Sequence, residues 1–399
     1  MDEHTGRASL PVRVAAPCGA VFFFLGFWIH RSRQFGDFKV LRLGAELFGN
    51  GQYATAYDPD AFSTLAQSRP ELAVSHRELD VFLSTPVFGW AMRPFSALAF
   101  EPALVVWMLL GFGALLLSVR ILDLPLWVAP LAAVMPFGIS NLHHGQTGFF
   151  AILLASAVHV LCVRDRKVLA GLVAGLVILK PTLLIGVGLW WLMDWKRWYP
   201  SLLAAVPSAG LIVLPTLIFD GFEPWRLFAR SSAARIEVHA DVVANQPTLR
   251  ELAKRALGGE IGMSMTTQLA ILLAGALGLW LLGRRWPTRT DILSGGAIFV
   301  SILASPHLLV YDSGLILIPL AVLVSHRARA STIETMVAIY TVSSLAMIMS
   351  LPPFGPLNDW VSPGAVGMLM LVVLWVRELD RCREPIPSGP LVRASPSSV

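Results

Sequence analysis

A few short polar stretches in an otherwise apolar chain carry side chains that could move a proton or hold an anion. Asp37 stands between Phe35-Gly36 and Phe38-Lys39, just past the first long apolar run, which ends near His30. A carboxylate beside a dry cavity has its pKa lifted into the range of a general base. The plainer reading is an N-cap for a helix beginning at Phe38, a role Asp fills well. His143-His144-Gly145-Gln146 breaks two strongly apolar stretches. It can hydrogen-bond a sugar or phosphate, or be a turn in headgroup water. Adjacent histidines point in different directions on a helix, so they make poor joint metal ligands.

Lys180 is the most isolated charge, set between Val177-Ile178-Leu179 and Pro181-Thr182-Leu183-Leu184. A lysine in such surroundings faces a cavity or an anion, with phosphate the natural partner, unless its stem snorkels to the interface. Ser305-Pro306-His307 and Tyr311-Asp312 interrupt another pair of apolar helices. Asp312 falls about a turn and a half beyond His307, inside the apolar run; the alternative is a proline-marked turn with an interfacial Tyr311. Asp58-Pro59-Asp60 has the look of a metal-binding Asp-x-Asp, but Pro59 opening a helix capped by Asp58 explains it without metal. Asn245-Gln246-Pro247-Thr248-Leu249-Arg250, with Arg255 beyond, offers two arginines to a phosphate, or forms a solvated amphipathic helix. There is no Gly-rich Walker loop, Gly-x-Ser-x-Gly elbow or His-Glu-x-x-His. ATPase, lipase and zincin chemistry therefore find no support, and neither metal nor cofactor is expected.

The elements that position these groups follow from composition. Of 399 residues, 55% are hydrophobic and 14% charged, and the mean hydropathy is +0.65; soluble domains carry about 25% charged residues. Apolar runs of roughly 17–22 residues recur, which predicts an all-α, polytopic transmembrane bundle. The net charge of +5 is scattered through the hydrophilic breaks rather than pooled, so nucleic acid is not an expected partner. Cys18, Cys162 and Cys382 imply no disulfide framework. Arg7 and Arg13 precede the first apolar run, which no small-x-small cleavage site follows, so an uncleaved first helix is expected.

Every second break is rich in Lys and Arg, and the positive-inside rule makes that set cytoplasmic. Asp37, His143/His144, Lys180, the 220–264 segment and His307 then share the opposite side, with about twelve membrane helices and both termini inside. Reading 168–193 as one crossing would put Lys196-Arg197 on the wrong side, so two half-length helices meeting at Lys180-Pro181 are expected. The stretch 86–100, broken by Arg93-Pro94, is too short to span and is expected at the interface. The first outer segment, 31–85, is predicted to hold a helix from Phe38 to Phe48 stopped by Gly49-Asn50-Gly51 and a second from Pro59 to about Gln67. The expected layout is one transmembrane domain, 1–383, with outer segments 31–85 and 220–264 and a disordered cytoplasmic tail, 384–399.

The order of these pieces resembles glycosyltransferase family 87, which includes polyprenol-phosphate-mannose-dependent α-1,2-mannosyltransferases. The resemblance rests on Asp37-Phe38 with Gly51 and Tyr57-Asp58-Pro59; Thr85-Pro86-Val87-Phe88 with Arg93-Pro94-Phe95; Gly145-Gln146; Gly171 through Lys180-Pro181; Asn245-Gln246; and Ser305-Pro306-His307 with Tyr311-Asp312. Thr85 and Pro247 depart from the pattern, which often has Pro and Ser there. The resemblance implies a GT-C-type fold and metal-independent, inverting transfer from a polyprenyl-phosphate sugar, with mannose the implied sugar, to a lipid or glycan acceptor on the non-cytoplasmic face. It implies Asp37 as general base, Lys180 and His307 as stabilisers of the departing phosphate, and 86–100 as a cradle for the polyprenyl chain. His143, His144, Gln146, Asn245, Arg255 and Tyr311 complete the expected donor-binding set. The competing reading is a lipid-linked-sugar flippase or transporter, which would line a path through the bilayer with polar residues and show internal repeats; a third is a family member without activity that serves as a partner subunit.

Overall fold

A computed structural model describes residues 36–69, 82, 84–238, 247–257, 264–306, 308–349 and 362–383. The expected first membrane helix, Asn245, Gln246, His307 and the 384–399 tail lie outside the described residues. The described residues form helices and their connections, with no strand among them. Among the described residues three helices are long and apolar enough to cross a membrane: Phe100–Ile121, Trp195–Asp220 and Met265–Arg285. Shorter apolar helices, among them Gly148–Val163 and Thr290–Ala304, pack between them.

Ion pairs tie the basic breaks together at one end of the bundle. Arg197 lies 3.9 Å from Asp165 and donates to Thr290 Oγ1 at 2.8 Å. His326 contacts Asp291 at 2.7 Å, Arg285 donates to Asp380 at 2.6 Å, and Glu378 accepts the Arg329 backbone N–H at 2.9 Å. The opposite end gathers Gln268 against the Ala304 carbonyl at 2.9 Å and the Asn141 amide against the Tyr311 carbonyl at 2.8 Å. The contacts among the basic breaks are those expected if the Lys- and Arg-rich set shares one end.

The Asp165–Arg197 contact requires the chain between them to enter the bundle and return. Lys167–Gly175 is followed by 3-10 turns at Leu176–Leu179 and Pro181–Leu184, and Ile185–Met193 leads back. Pro181 cannot continue the ladder, and Lys180 between the turns takes φ −151° and ψ 75°. The inbound arm lies against Trp195–Asp220 through small residues, the usual means of close helix approach in lipid. A side chain at Gly171 would collide with the Ser201 backbone and one at Gly175 with Ala205 and Ser208. Ser201 and Ser208 hydroxyls donate to the Lys167 and Leu172 carbonyls at 2.8 and 2.6 Å. The outbound arm stacks Trp191 on Trp198 and sets Trp190 tilted against it, centroids 5.7 and 4.7 Å away, and rests Gly186 on Thr290–Ala304, its N–H donating to Ser301 Oγ at 3.0 Å.

A second, smaller core lies under the first outer segment, where Phe38, Leu43, Leu47, Phe48, Phe62 and Phe82 are buried together. Gly36–Gly49 ends at a turn in which Gly51 takes φ +69°, a backbone that favours glycine. Pro59–Gln67 starts as expected, with the Asp58 carboxylate accepting Ala61 N–H at 2.9 Å. Pro86–Ser96 has 11 residues, about 16 Å of helix, too short to span. It packs along Gly36–Gly49, with Gly89 fitted against the Phe48 ring.

Candidate active site

Asp37 sits in the first turn of Gly36–Gly49, which begins two residues earlier than Phe38. It is therefore not the N-cap of that helix. A carboxylate there gains from the free N–H groups and the positive end of the helix dipole. Its Oδ2 lies 3.8 Å from His144 Nδ1, with Asp37 19% and His144 40% exposed.

The contact is built by the residues next to each partner. His143 and His144 end the helix Pro136–His144, and Gly145 terminates it with φ +67°. A Cβ on Gly145 would stand 2.6 Å from Phe38 Cβ, so only glycine satisfies both the backbone and the approach. The Gly145 carbonyl accepts Trp107 Nε1–H at 2.9 Å, and the Trp107 ring lies 6.0 Å from Phe38. Phe38 and Gly145 thus lock their chain neighbours Asp37 and His144 side by side. His143 meets the His144 ring edge-on at 4.7 Å. Gln146 turns back on the chain, its Oε1 accepting Thr147 N–H at 3.3 Å.

The second half of the site is an ion pair. Lys180 Nζ lies 2.6 Å from both carboxylate oxygens of Asp312 and 4.8 Å from the Tyr311 ring centroid. Asp312 is 1% exposed and Lys180 29%, so the pair is open on the lysine side only. Tyr311 and Asp312 lie in the 3-10 turn Val310–Ile316. That turn is fixed by Asn141, whose amide bridges the Phe137 and Tyr311 carbonyls at 2.9 and 2.8 Å. It is pressed against Gly148, where a side chain would strike the Tyr311 carbonyl and Asn141. The helix Pro136–His144 joins the two halves: its Asn141 holds the Tyr311 carbonyl, and its last residue, His144, meets Asp37.

The structure thus brings together Asp37, His143, His144, Lys180 and Tyr311 from the sequence-predicted set. Arg255 is carried by Leu249–Leu257, which packs on Met265–Arg285 and Thr290–Ala304, but its side chain lies outside the described residues. Asp312 as the partner of Lys180 is the residue that sequence reasoning missed. The available signal was two lone charges of opposite sign in separate apolar runs, each too costly to bury alone. Among the described residues no group of three His, Cys, Asp or Glu is placed to hold a metal ion.

The arrangement offers a carboxylate to accept a proton and a cation to meet an anion, at the end of the bundle away from the basic breaks. No curated protein and no solved structure matches the chain. The family model of glycosyltransferase family 87 matches residues 82–306, more than half of the chain, and spans His143, His144, Gln146 and Lys180. This chain therefore belongs to glycosyltransferase family 87.

Proposed function

We propose that this glycosyltransferase moves a sugar, mannose by its resemblance to the characterised members, from a polyprenyl-phosphate donor to a lipid or glycan hydroxyl. The reaction takes place at the non-cytoplasmic face of the cell membrane, in a multi-pass GT-C-type bundle, with inversion and without metal. The observation that carries the reading is that one helix, Pro136–His144, touches both Asp37, through His144, and the Lys180–Tyr311–Asp312 group, through Asn141. The basic loops close the other end, which the positive-inside rule makes cytoplasmic.

Asp37 takes the proton of the acceptor hydroxyl as that oxygen attacks the anomeric carbon. The new C–O bond forms on the face opposite the phosphate, the bond from the anomeric carbon to the phosphate oxygen breaks, and its electron pair leaves on polyprenyl phosphate. Negative charge on the phosphate grows through this step, and a cation fixed nearby favours the transition state over the bound donor. Lys180 supplies it, with His307 as its expected companion. A phosphodiester donor carries one negative charge rather than the two or three of a nucleotide diphosphate, so a single side-chain cation suits it. A flippase would need polar groups along the whole crossing, whereas these converge at one end.

The deciding experiment is Asp37→Asn, assayed in membranes for transfer from polyprenyl-phosphate-mannose. Folded protein with transfer lost is the expected result, and unchanged transfer would falsify the assignment of the base. Thiol labelling of a cysteine placed at position 37 tests the side independently; modification solely from the cytoplasm overturns it.

A further inference from the structure

Lys180 has an uneven task. The donor's phosphodiester carries one negative charge, while the polyprenyl monophosphate left after transfer carries about 1.5–2 at neutral pH. An unopposed ammonium would hold the spent lipid more tightly than the fresh one and stall the enzyme on its product. Lys180 is opposed: both Asp312 oxygens lie 2.6 Å from its Nζ.

The pair is asymmetric in access and in freedom. Asp312 is 1% exposed against 29% for Lys180, so an incoming anion meets the ammonium and not the carboxylate. Asp312 sits in a clamped turn: its own N–H bonds the Leu309 carbonyl at 3.0 Å, Ser313 and Tyr340 hydroxyls pair at 2.6 Å, and Asn141 holds Tyr311. Lys180 sits between two 3-10 turns on a flexible four-carbon stem. The carboxylate stays in place while the ammonium can lean outward and return.

We propose that Asp312 is a positioning residue that competes with the lipid phosphate for the Lys180 ammonium, and so drives release of the spent polyprenyl phosphate. This rests on the reading of Lys180 as phosphate-facing. Coulomb energy scales with the product of the charges, so removing the carboxylate strengthens product binding about twice as much, on a logarithmic scale, as donor binding.

The test uses the full chain in lipid nanodiscs and measures the donor KM, kcat and the inhibition constant for polyprenyl phosphate. Asp312→Asn is expected to tighten donor binding about threefold and product binding about tenfold, lower kcat, and give a burst of about one turnover followed by a slow, product-limited phase. Asp312→Ser, also neutral and smaller, shifts both affinities in the same direction if the Asn variant does not fold. Asp312→Glu keeps the charge and is expected to restore the wild-type ratio of product to donor affinity. Lys180→Gln weakens both ligands, and Asp312→Asn added to it shifts neither affinity further. If the Asn and Ser variants keep the wild-type ratio while Lys180→Gln still weakens both ligands, the role of Asp312 is wrong and the phosphate reading stands. If Lys180→Gln changes neither affinity, the phosphate reading itself is wrong and this inference goes with it.

Discussion

Lys180 Nζ and the Asp312 carboxylate meet at 2.6 Å across 132 positions of sequence. Each comes from a break in an otherwise apolar helical stretch, Lys180 between two 3-10 turns and Asp312 inside a third. A charge in such surroundings is costly alone and is stabilised by a partner of opposite sign. Stability and the proposed hold on the donor phosphate therefore draw on the same contact.

Removing one member should cost more than removing both. Lys180→Met strands Asp312, which is 1% exposed, and loss of one partner of a buried pair costs about 3–5 kcal/mol. The double variant Lys180→Met/Asp312→Leu strands nothing and is expected to recover most of that loss while remaining inactive. Thermal melts of the two single variants and the double form a cycle that checks this. Additive losses would mean that the two charges do not meet in the folded protein.

Gly145→Ala tests how Asp37 is held. The substitution puts a methyl group on a φ +67° backbone, 2.6 Å from Phe38 Cβ. Backbone strain of this kind costs about 1–3 kcal/mol, and relief requires the Phe38 helix to move away from His144. Transfer is expected to fall more than stability, because the Asp37–His144 juxtaposition depends on that approach. An Ala variant that melts lower yet transfers sugar at the wild-type rate would show that the juxtaposition is dispensable.

What was legible in the sequence was local or governed by charge. The Asp58 cap and the Gly51 stop follow from backbone rules that act within a few residues. The returning hairpin followed from Pro181 together with the sign of the flanking loops, and Arg197 beside Asp165 bears it out. The Lys180–Asp312 contact and the meeting of Asp220 with Tyr53 and Trp90 join segments far apart, and no periodicity encodes such pairs. The plainer reading of Asp37 as a cap rests on a helix start at Phe38; the helix already includes Gly36, which puts Asp37 in its first turn, with His144 beside its carboxylate.

Tyr53 donates to Asp220 Oδ1 at 2.6 Å, and Trp90 donates to the other oxygen. These bonds fasten the end of Trp195–Asp220 to the first outer segment and to Pro86–Ser96. Burial first, then the hydrogen bond to Asp220 and its charge, push the Tyr53 phenol up to about 12. A folded pKa above the unfolded value of about 10 means stability that is complete below pH about 10 and lost as pH rises through about 12. Tyr53→Phe is expected to cost about 1–2 kcal/mol at neutral pH, and its melting curve should converge on that of wild type in the alkaline range. A gap of constant size from pH 7 to 12 would mean that the phenol proton is not shared with Asp220.

The two basic loops at either end of the hairpin give the sharpest test of the architecture. Arg197 NH2 lies 3.9 Å from Asp165 Oδ1, and Lys167 Nζ reaches the same oxygen at 3.5 Å. A single crossing from 168 to 193 would separate these loops by the thickness of the bilayer core, about 30 Å. Asp165→Cys and Arg197→Cys, placed together in a chain whose three native cysteines are replaced by Ser, should therefore cross-link with a short bifunctional thiol reagent. Each cysteine alone should be labelled from the same face of inverted vesicles. Removing the ion pair itself should matter little for stability, because Asp165 is 62% exposed and such surface pairs contribute about 0–1 kcal/mol. Efficient labelling of the two positions from opposite faces, with no cross-link, would replace the hairpin by a through-crossing and carry Lys180 away from Asp312 and Asp37.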